Sequence, residues 1–174
     1  HMRPGIRAML QVAGIEEAPK TVRDMSFSLG PRINAAGRVG HALTAAKLLM
    51  ANDEGSALEL ASQLETMNQA RRDIDEDLTE EAIALMAEQP PGRSCTIVHG
   101  EGWHRGVLGI VASRLVEQRY CPTIVLSEEN EVLTGSARSV PGIDIHEAFE
   151  KCRHLIEQFG GHPMAAGLTI RKEN

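Results

Sequence analysis

Aromatic side chains are scarce in this 174-residue chain: three Phe, one Tyr and one Trp make up 3% of it. Stacking on aromatic rings therefore supplies little of any nucleic-acid binding, and contacts should run mainly to backbone. No apolar run approaches the roughly 18 residues of a membrane-spanning helix, and the opening His1-Met2-Arg3 lacks the apolar stretch of a secretory signal. We expect a soluble, cytoplasmic protein with no membrane partner, and read His1 before Met2 as a scar of expression cloning. The three cysteines, Cys95, Cys121 and Cys152, are odd in number and lack C-x-x-C spacing, which suits reduced thiols better than a disulfide framework or a zinc site. His146, Cys152 and His154 lack a fourth ligand at suitable spacing.

Motifs of other chemistries are missing too. There is no G-x-x-x-x-G-K-[ST], H-E-x-x-H or G-x-S-x-G. The D-x-D Asp73-Ile74-Asp75 lies in a helical stretch, where its carboxylates point about 200° apart and cannot share an ion. An excess of positive charge is absent as well: the net charge is −6, which at first argues against a phosphate backbone as partner. The acid is concentrated upstream of Pro90-Pro91, with nine basic against fourteen acidic residues before the break and nine against ten after it. Six of the acids lie between Asp73 and Glu81 and read as a solvated helix face. Global charge leaves the partner open.

What is present divides the chain. Arg3 to Val12 reads as a short helix stopped by Gly14, and Thr21 to Met50 as two short helices around turns at Gly30-Pro31 and Gly37 to Gly40. After Asn52-Asp53, a good N-cap pair, Leu60, Leu64, Met67, Arg71, Ile74, Leu78, Ala82 and Leu85 recur in steps of three and four. That predicts a connector helix of about 30 residues, near 45 Å long. Past Pro90-Pro91-Gly92 the period changes. Cys95 to Val98 and Thr123 to Leu126 read as strands around a helix from Gly106 to Arg119, a βαβ pattern. Glu131 to Ala137 follows as a strand, Asp144 to Phe159 as a helix, and Gly167 to Arg171 as a last strand. The fold class is α/β: a mixed sheet flanked by helices, preceded by the long helix and a small helical segment. The expected divisions are 1–52, 53–89 and 90–174, with the last truncated at its C-terminus.

Four segments carry candidate chemistry. In Trp103-His-Arg-Gly-Val-Leu-Gly-Ile-Val-Ala-Ser-Arg114, His104 and Arg105 precede a helix start, whose free N–H groups favour an anion; Gly106, Gly109 and Ser113 at helical spacing equally suit close packing. In Thr134-Gly-Ser-Ala-Arg-Ser139, Arg138 can grip a phosphate through two nitrogens while Ser136 and Ser139 donate to its other oxygens. Strand alternation puts Ser136 and Arg138 on one side; the plainer reading of Arg138 is a surface salt bridge. In Phe159-Gly-Gly-His-Pro-Met-Ala-Ala-Gly167, Gly160 and Gly161 free backbone N–H groups for an anion and His162 adds a donor, or the glycines simply end a helix. Arg32, Asn34 and Arg38, in Gly30-Pro-Arg-Ile-Asn-Ala-Ala-Gly-Arg38, face a phosphate or cap local helices.

Taken together and in this order, these four segments closely resemble the RecJ branch of the DHH phosphoesterase superfamily. A lone Gly-Gly-His is shared across that superfamily; Pro31-Arg-Ile-Asn-Ala-Ala-Gly-Arg38 points to RecJ. The resemblance implies a 5′-to-3′ single-stranded-DNA exonuclease of recombination and repair, with Mn²⁺ or Mg²⁺ held in a DHH domain. It also implies a long helix leading to a DHH-associated domain, and DNA running between the two. Residues 1–52 would be the end of the DHH domain, 53–89 the connector, and 90–174 the associated domain. By position, Arg38 would contact the scissile phosphate, with Asn34 a weaker companion, and Ser136 and Arg138 would help form the pocket for the 5′-terminal phosphate. Gly160, Gly161 and His162 would hold a phosphate or nucleotide near the metals, and His104 and Arg105 are looser carry-overs. Asp-His-His and the earlier aspartate motifs are absent, so no bound metal and no nuclease activity are expected of this chain alone. Single-strand-binding protein and a helicase are expected partners of the parent enzyme. The competing readings are another DHH phosphodiesterase, acting on short oligonucleotides or cyclic dinucleotides, and a non-enzymatic protein-interaction module.

Overall fold

A computed structural model of the chain describes residues 2–15, 21–90 and 92–174; His1 and Pro91, read above as a cloning scar and part of a break, lie outside them. The chain forms two compact units, His1–Asp73 and Ile74–Asn174, and the division falls inside one long helix.

The first unit is helical. It contains α1 (Pro4–Val12), α2 (Val22–Ser28), α3 (Gly30–Val39), α4 (Ala42–Met50) and the beginning of α5 (Glu54–Ala87). Helix α1 starts on proline, where the missing N–H is no loss, and stops where Gly14 takes a φ of 69°. There Gly14 N–H donates to the Gln11 carbonyl at 3.1 Å and Ile15 N–H to that of Leu10 at 2.9 Å, a closure that satisfies carbonyls left open at a helix end. Met9, Leu48 and Leu64 fill the core among Ala8, Ala36, Ala45, Ala57 and Ala61; the small residues let the helices approach closely. Gly30-Pro31 is not a turn. It is the first turn of α3, because proline's fixed φ suits a helix start, and Gly37 lies within the same helix, so 21–50 holds three helices instead of two.

Helix α5 is 34 residues long. The Asp53 carboxylate accepts the Ser56 hydroxyl, and also the Ser56 N–H at 2.8 Å; these bonds hold its carboxyl below the ordinary value of 3.8. The acidic stretch is not a uniformly solvated face. Asp75 is 1% exposed and receives Arg114 Nη2 at 2.7 Å, since a buried carboxylate must be paired. Glu81 accepts the indole N–H of Trp103 at 3.0 Å.

The second unit is a five-stranded mixed sheet in the order β1-β2-β3-β5-β4. Its strands are β1 (Thr96–Glu101), β2 (Thr123–Glu129), β3 (Val132–Arg138), β4 (Ile156–His162) and β5 (Ala165–Arg171), with helices α6 (Leu108–Gln118) and α7 (Ile145–Lys151). Only β1 and β2 pair in parallel, as a βαβ crossover requires; the other pairs are antiparallel. Alternation along β2 sorts the two cores. Val125 faces Leu108, Val111 and Leu115 of α6 together with Leu78, Ala82 and Met86 of α5. Leu126 faces the opposite way, towards Ile145 and Phe149 of α7.

The expected helix over 144–159 is corrected by this arrangement. It ends at Lys151, and Ile156–His162 is the edge strand β4. Asp144 caps α7 by accepting Glu147 N–H at 2.9 Å. Pairing with β5 then outweighs the helix propensity of 152–159, because it packs Phe159 and Ile156 against the α7 core.

Candidate nucleic-acid interface

Register across β3, β5 and β4 builds the site. Residues directly opposite each other in an antiparallel pair present side chains to the same face, and three rows result. Thr134, Thr169 and Gln158 form one, Ser136, Gly167 and Gly160 the next, and Arg138, Ala165 and His162 the third. Ser136 lies opposite Val125, whose side chain packs towards α6, so all three rows lie on the α6 side of the sheet. The strand alternation expected for Ser136 and Arg138 is seen directly: Arg138 Nη1 donates to Ser136 Oγ and to the Ala137 carbonyl, both at 2.8 Å.

The first turn of α6 lies over this pair. A Cβ added at Gly109 would meet Arg138 Nη2 at 2.5 Å and Ser136 Oγ at 3.1 Å. The glycine therefore makes room for a guanidinium, not for another backbone. The start of α6, a guanidinium and a hydroxyl meet at one place, a combination of groups that suits an anion.

Beyond Ser136 the sheet face is bare. Gly160 and Gly167 are both exposed. A Cβ at Gly160 would meet nothing within 4 Å, and one at Gly167 only the Gly135 carbonyl at 3.6 Å. Among the described residues no packing calls for glycine at either position; glycines in strands occur at bulges, at bends and where a ligand or another backbone approaches closely. Gly161 differs: its φ is 153° and Ala165 and Ala166 would obstruct any side chain, so it shapes the hairpin. That hairpin is fastened where Ser139 N–H donates to the Met164 carbonyl at 2.9 Å and Ile145 N–H to that of Pro163 at 3.0 Å. It ends β4 with His162 exposed beside the Arg138 end of β3. His162 Nδ1 accepts Met164 N–H at 3.3 Å. A concavity of about 320 Å³ lies on this face, lined by Thr134, Gln158, Gly160, Gly167 and Thr169 among others.

The sequence-based candidates divide on this geometry. Ser136, Arg138, Gly160 and His162 are brought to one face of one sheet. Ser139 is not with them. It is buried and donates to the Ile143 carbonyl at 2.7 Å, so it braces the loop into α7, as the alternation that places Arg138 outward requires of its neighbour. Arg105 pairs with Glu129 at 2.8 Å, an exposed pair. His104 accepts Gly106 N–H through Nδ1 at 3.1 Å and shapes the turn before α6. In the first unit, Asn34 and Arg38 lie four residues apart on α3 and both are exposed, hence on one accessible face. Arg32, in the same segment, is buried, donating to the Ser28 carbonyl at 2.5 Å and paired with Glu65 of α5; it is architecture. Sequence reasoning left Thr134 and Gly167 at the ends of its segments without a role, and missed Gln158 and Thr169, which no local pattern marks. Only the pairing of three strands brings them together.

Among the described residues there is no group of three or more His, Cys, Asp or Glu side chains able to hold a metal ion. The D-x-D pair diverges as helix geometry demands, with Asp73 exposed and Asp75 committed to Arg114. The residues present do not fit a two-ion centre.

Residues 92–174 match the DHHA1 domain family. Over 99% of its length the chain is 38% identical to the single-stranded-DNA-specific exonuclease RecJ of Bacillus subtilis, of which it covers 22%. It is 40% identical over its whole length to the protein of that name from Haemophilus influenzae, covering 32% of it. The crystal structure of RecJ from Thermus thermophilus in complex with Mg²⁺ superposes on 98% of the chain with a TM-score of 0.86 at 29% identity, the match covering 26% of that structure. The same Thermus protein in complex with Mn²⁺ also gives 0.86. The chain thus spans between about a fifth and a third of the length of the curated relatives it matches.

Proposed function

The chain belongs to the RecJ family, and from that premise we propose that it is the substrate-gripping part of a 5′-to-3′ single-stranded-DNA exonuclease of recombination and repair. In this reading the cradle of Ser136, Arg138, Gly160 and His162, with the start of α6 above it, receives the 5′-terminal phosphate, and Gly161 shapes the hairpin that carries His162. Asn34 and Arg38 contact the phosphate next to the scissile bond. His104 and Arg105 are peripheral, since the first serves the local turn and the second is paired. The divalent ions act from residues outside this chain, as Lewis acids and as the source of the attacking hydroxide. The chain alone then binds and does not cut. Residues 1–52, 53–89 and 90–174 correspond to the end of the DHH domain, the connector and the associated domain. The setting is the cytoplasm, with single-strand-binding protein and a helicase as partners of the whole enzyme.

One observation carries the reading: two exposed glycines that no contact among the described residues requires, Gly160 and Gly167, lie beside the Ser136–Arg138 pair on an open sheet face. A terminal dianion also accounts for polarity, because only a 5′ end can bring one against Arg138. Arg138→Ala should weaken binding to a 5′-phosphorylated single strand about tenfold, and lower the slope of log affinity against log salt by about 0.7. Unchanged affinity and slope would instead favour an interaction module that uses none of this face.

A further inference from the structure

The start of α6 has to be held still if it is to stand over Arg138, and its hold comes from α5. Trp103, the chain's one tryptophan, lies six residues before Gly109 and is 7% exposed. Its indole rests on the backbone of β1: a Cβ added at Gly100 would meet Cε2 at 2.1 Å and Nε1 at 2.2 Å. Leu78, Ala82 and Met86 of α5 belong to the same core cluster, so packing fixes where the ring sits. The bond from Nε1 to Glu81 at 3.0 Å fixes how it is turned. Glu81 is exposed, and a hydrated carboxylate gains little from such a bond; its effect falls on Trp103. Between Trp103 and α6 the chain has little slack, because His104 takes Val107 N–H on its carbonyl and Gly106 N–H on its ring, both at 3.1 Å. Five residues past Gly109, Arg114 is tied to Asp75 of α5. Gly109 is thus bracketed by two ties to α5, whose acceptors are about 9 Å apart along that helix.

We propose that Glu81 is a positioning residue for the phosphate cradle, acting through Trp103 to keep the backbone of Gly109 against the Arg138 guanidinium. The inference rests on the proposed function and names a residue outside the cradle that sets its affinity. Arg138 Nη1 is already held by Ser136 Oγ and the Ala137 carbonyl. Nη2, the nitrogen beside Gly109, is therefore the one whose surroundings change if α6 moves. Without the bond to Glu81 the indole turns more freely in its place, the segment 103–109 drifts, and an anion between α6 and the guanidinium loses a fixed boundary. A bond that only stabilised the fold would show in unfolding and leave the preference for a 5′ phosphate untouched.

The test compares Glu81→Gln and Glu81→Leu in the 174-residue chain. Both remove the same charge, but the carboxamide oxygen in Glu81→Gln still accepts the indole N–H. Affinity is measured for two single strands of one sequence, ending in a 5′ phosphate or a 5′ hydroxyl. Glu81→Leu should bind the phosphorylated strand about fivefold less tightly than Glu81→Gln does, the weight of one ordinary net hydrogen bond. The two variants should bind the hydroxyl strand alike. The single indole N–H resonance should move in Glu81→Leu and stay near its place in Glu81→Gln. Trp103→Phe, which keeps a ring against Gly100 but has no N–H, covers the case in which Glu81→Leu fails to fold: it should lose the same preference, and adding Glu81→Leu to it should cost nothing further. Equal affinity of Glu81→Gln and Glu81→Leu for the phosphorylated strand, or a full preference in Trp103→Phe, overturns the positioning role. If the unaltered chain itself shows no preference for the 5′ phosphate, it is the cradle that fails, and the two failures are told apart.

Discussion

Two arginines in one short segment show how a single residue type serves both architecture and recognition. Arg32 and Arg38 are six positions apart on α3, which places them on different faces of the helix. Arg32 is 8% exposed and tied to Glu65 and the Ser28 carbonyl, whereas Arg38 is exposed beside Asn34. Removing one partner of a part-buried ion pair strands the other, so Arg32→Ala should cost on the order of 2 kcal/mol of stability, and Arg38→Ala much less. For binding to single-stranded DNA by the full-length enzyme the order should reverse. Chemical unfolding and DNA affinity measured on both variants check this; equal destabilisation would mean that Arg38 is structural as well. Nothing in the sequence of this segment separates the two roles, because burial of Arg32 is decided by Glu65, thirty-three residues away.

At the scale of elements, the first turn of α6 and the end of β3 are held together by what Gly109 lacks. Alanine there would improve the helix by up to about 1 kcal/mol, while its Cβ would crowd Arg138 Nη2 and Ser136 Oγ. Gly109→Ala should therefore leave thermal unfolding unchanged or slightly raised and weaken binding of a 5′-phosphorylated strand several-fold. A lowered melting temperature with intact binding would contradict the geometry. The glycines of this segment were legible as packing glycines; that Gly109 accommodates the Arg138 guanidinium was not, since it depends on where β3 runs. Elements with their own local signal were readable: the proline-started α1 with its Gly14 stop, the capped α5, the βαβ pattern around α6. Strand β4 was not, because nothing within 152–162 reveals that β5 will pair with it, and its Gly160-Gly161 resembled the end of a helix. The same pairing brought in Gly167, Thr134, Thr169 and Gln158.

For the whole molecule, family resemblance carried from residues to parent enzyme further than physics alone: net charge of −6 and few aromatics describe no nucleic-acid binder. The structure puts Ser136, Arg138 and His162 on one sheet face, and six of the acids on α5 between Asp73 and Glu81. Without residues fitted to a metal pair among those described, the chain with Mn²⁺ and a 5′-labelled strand in single turnover should yield no metal-dependent product, and such product would show a hydrolytic centre that its side chains do not provide. The most direct test of the phosphate cradle compares affinities of this chain for two otherwise identical single strands, one ending in a 5′ phosphate and one in a 5′ hydroxyl. The phosphorylated strand should bind about tenfold more tightly, a difference of about 1.4 kcal/mol, and the preference should vanish in Arg138→Ala. Equal binding of the two strands by the unaltered chain would contradict the account.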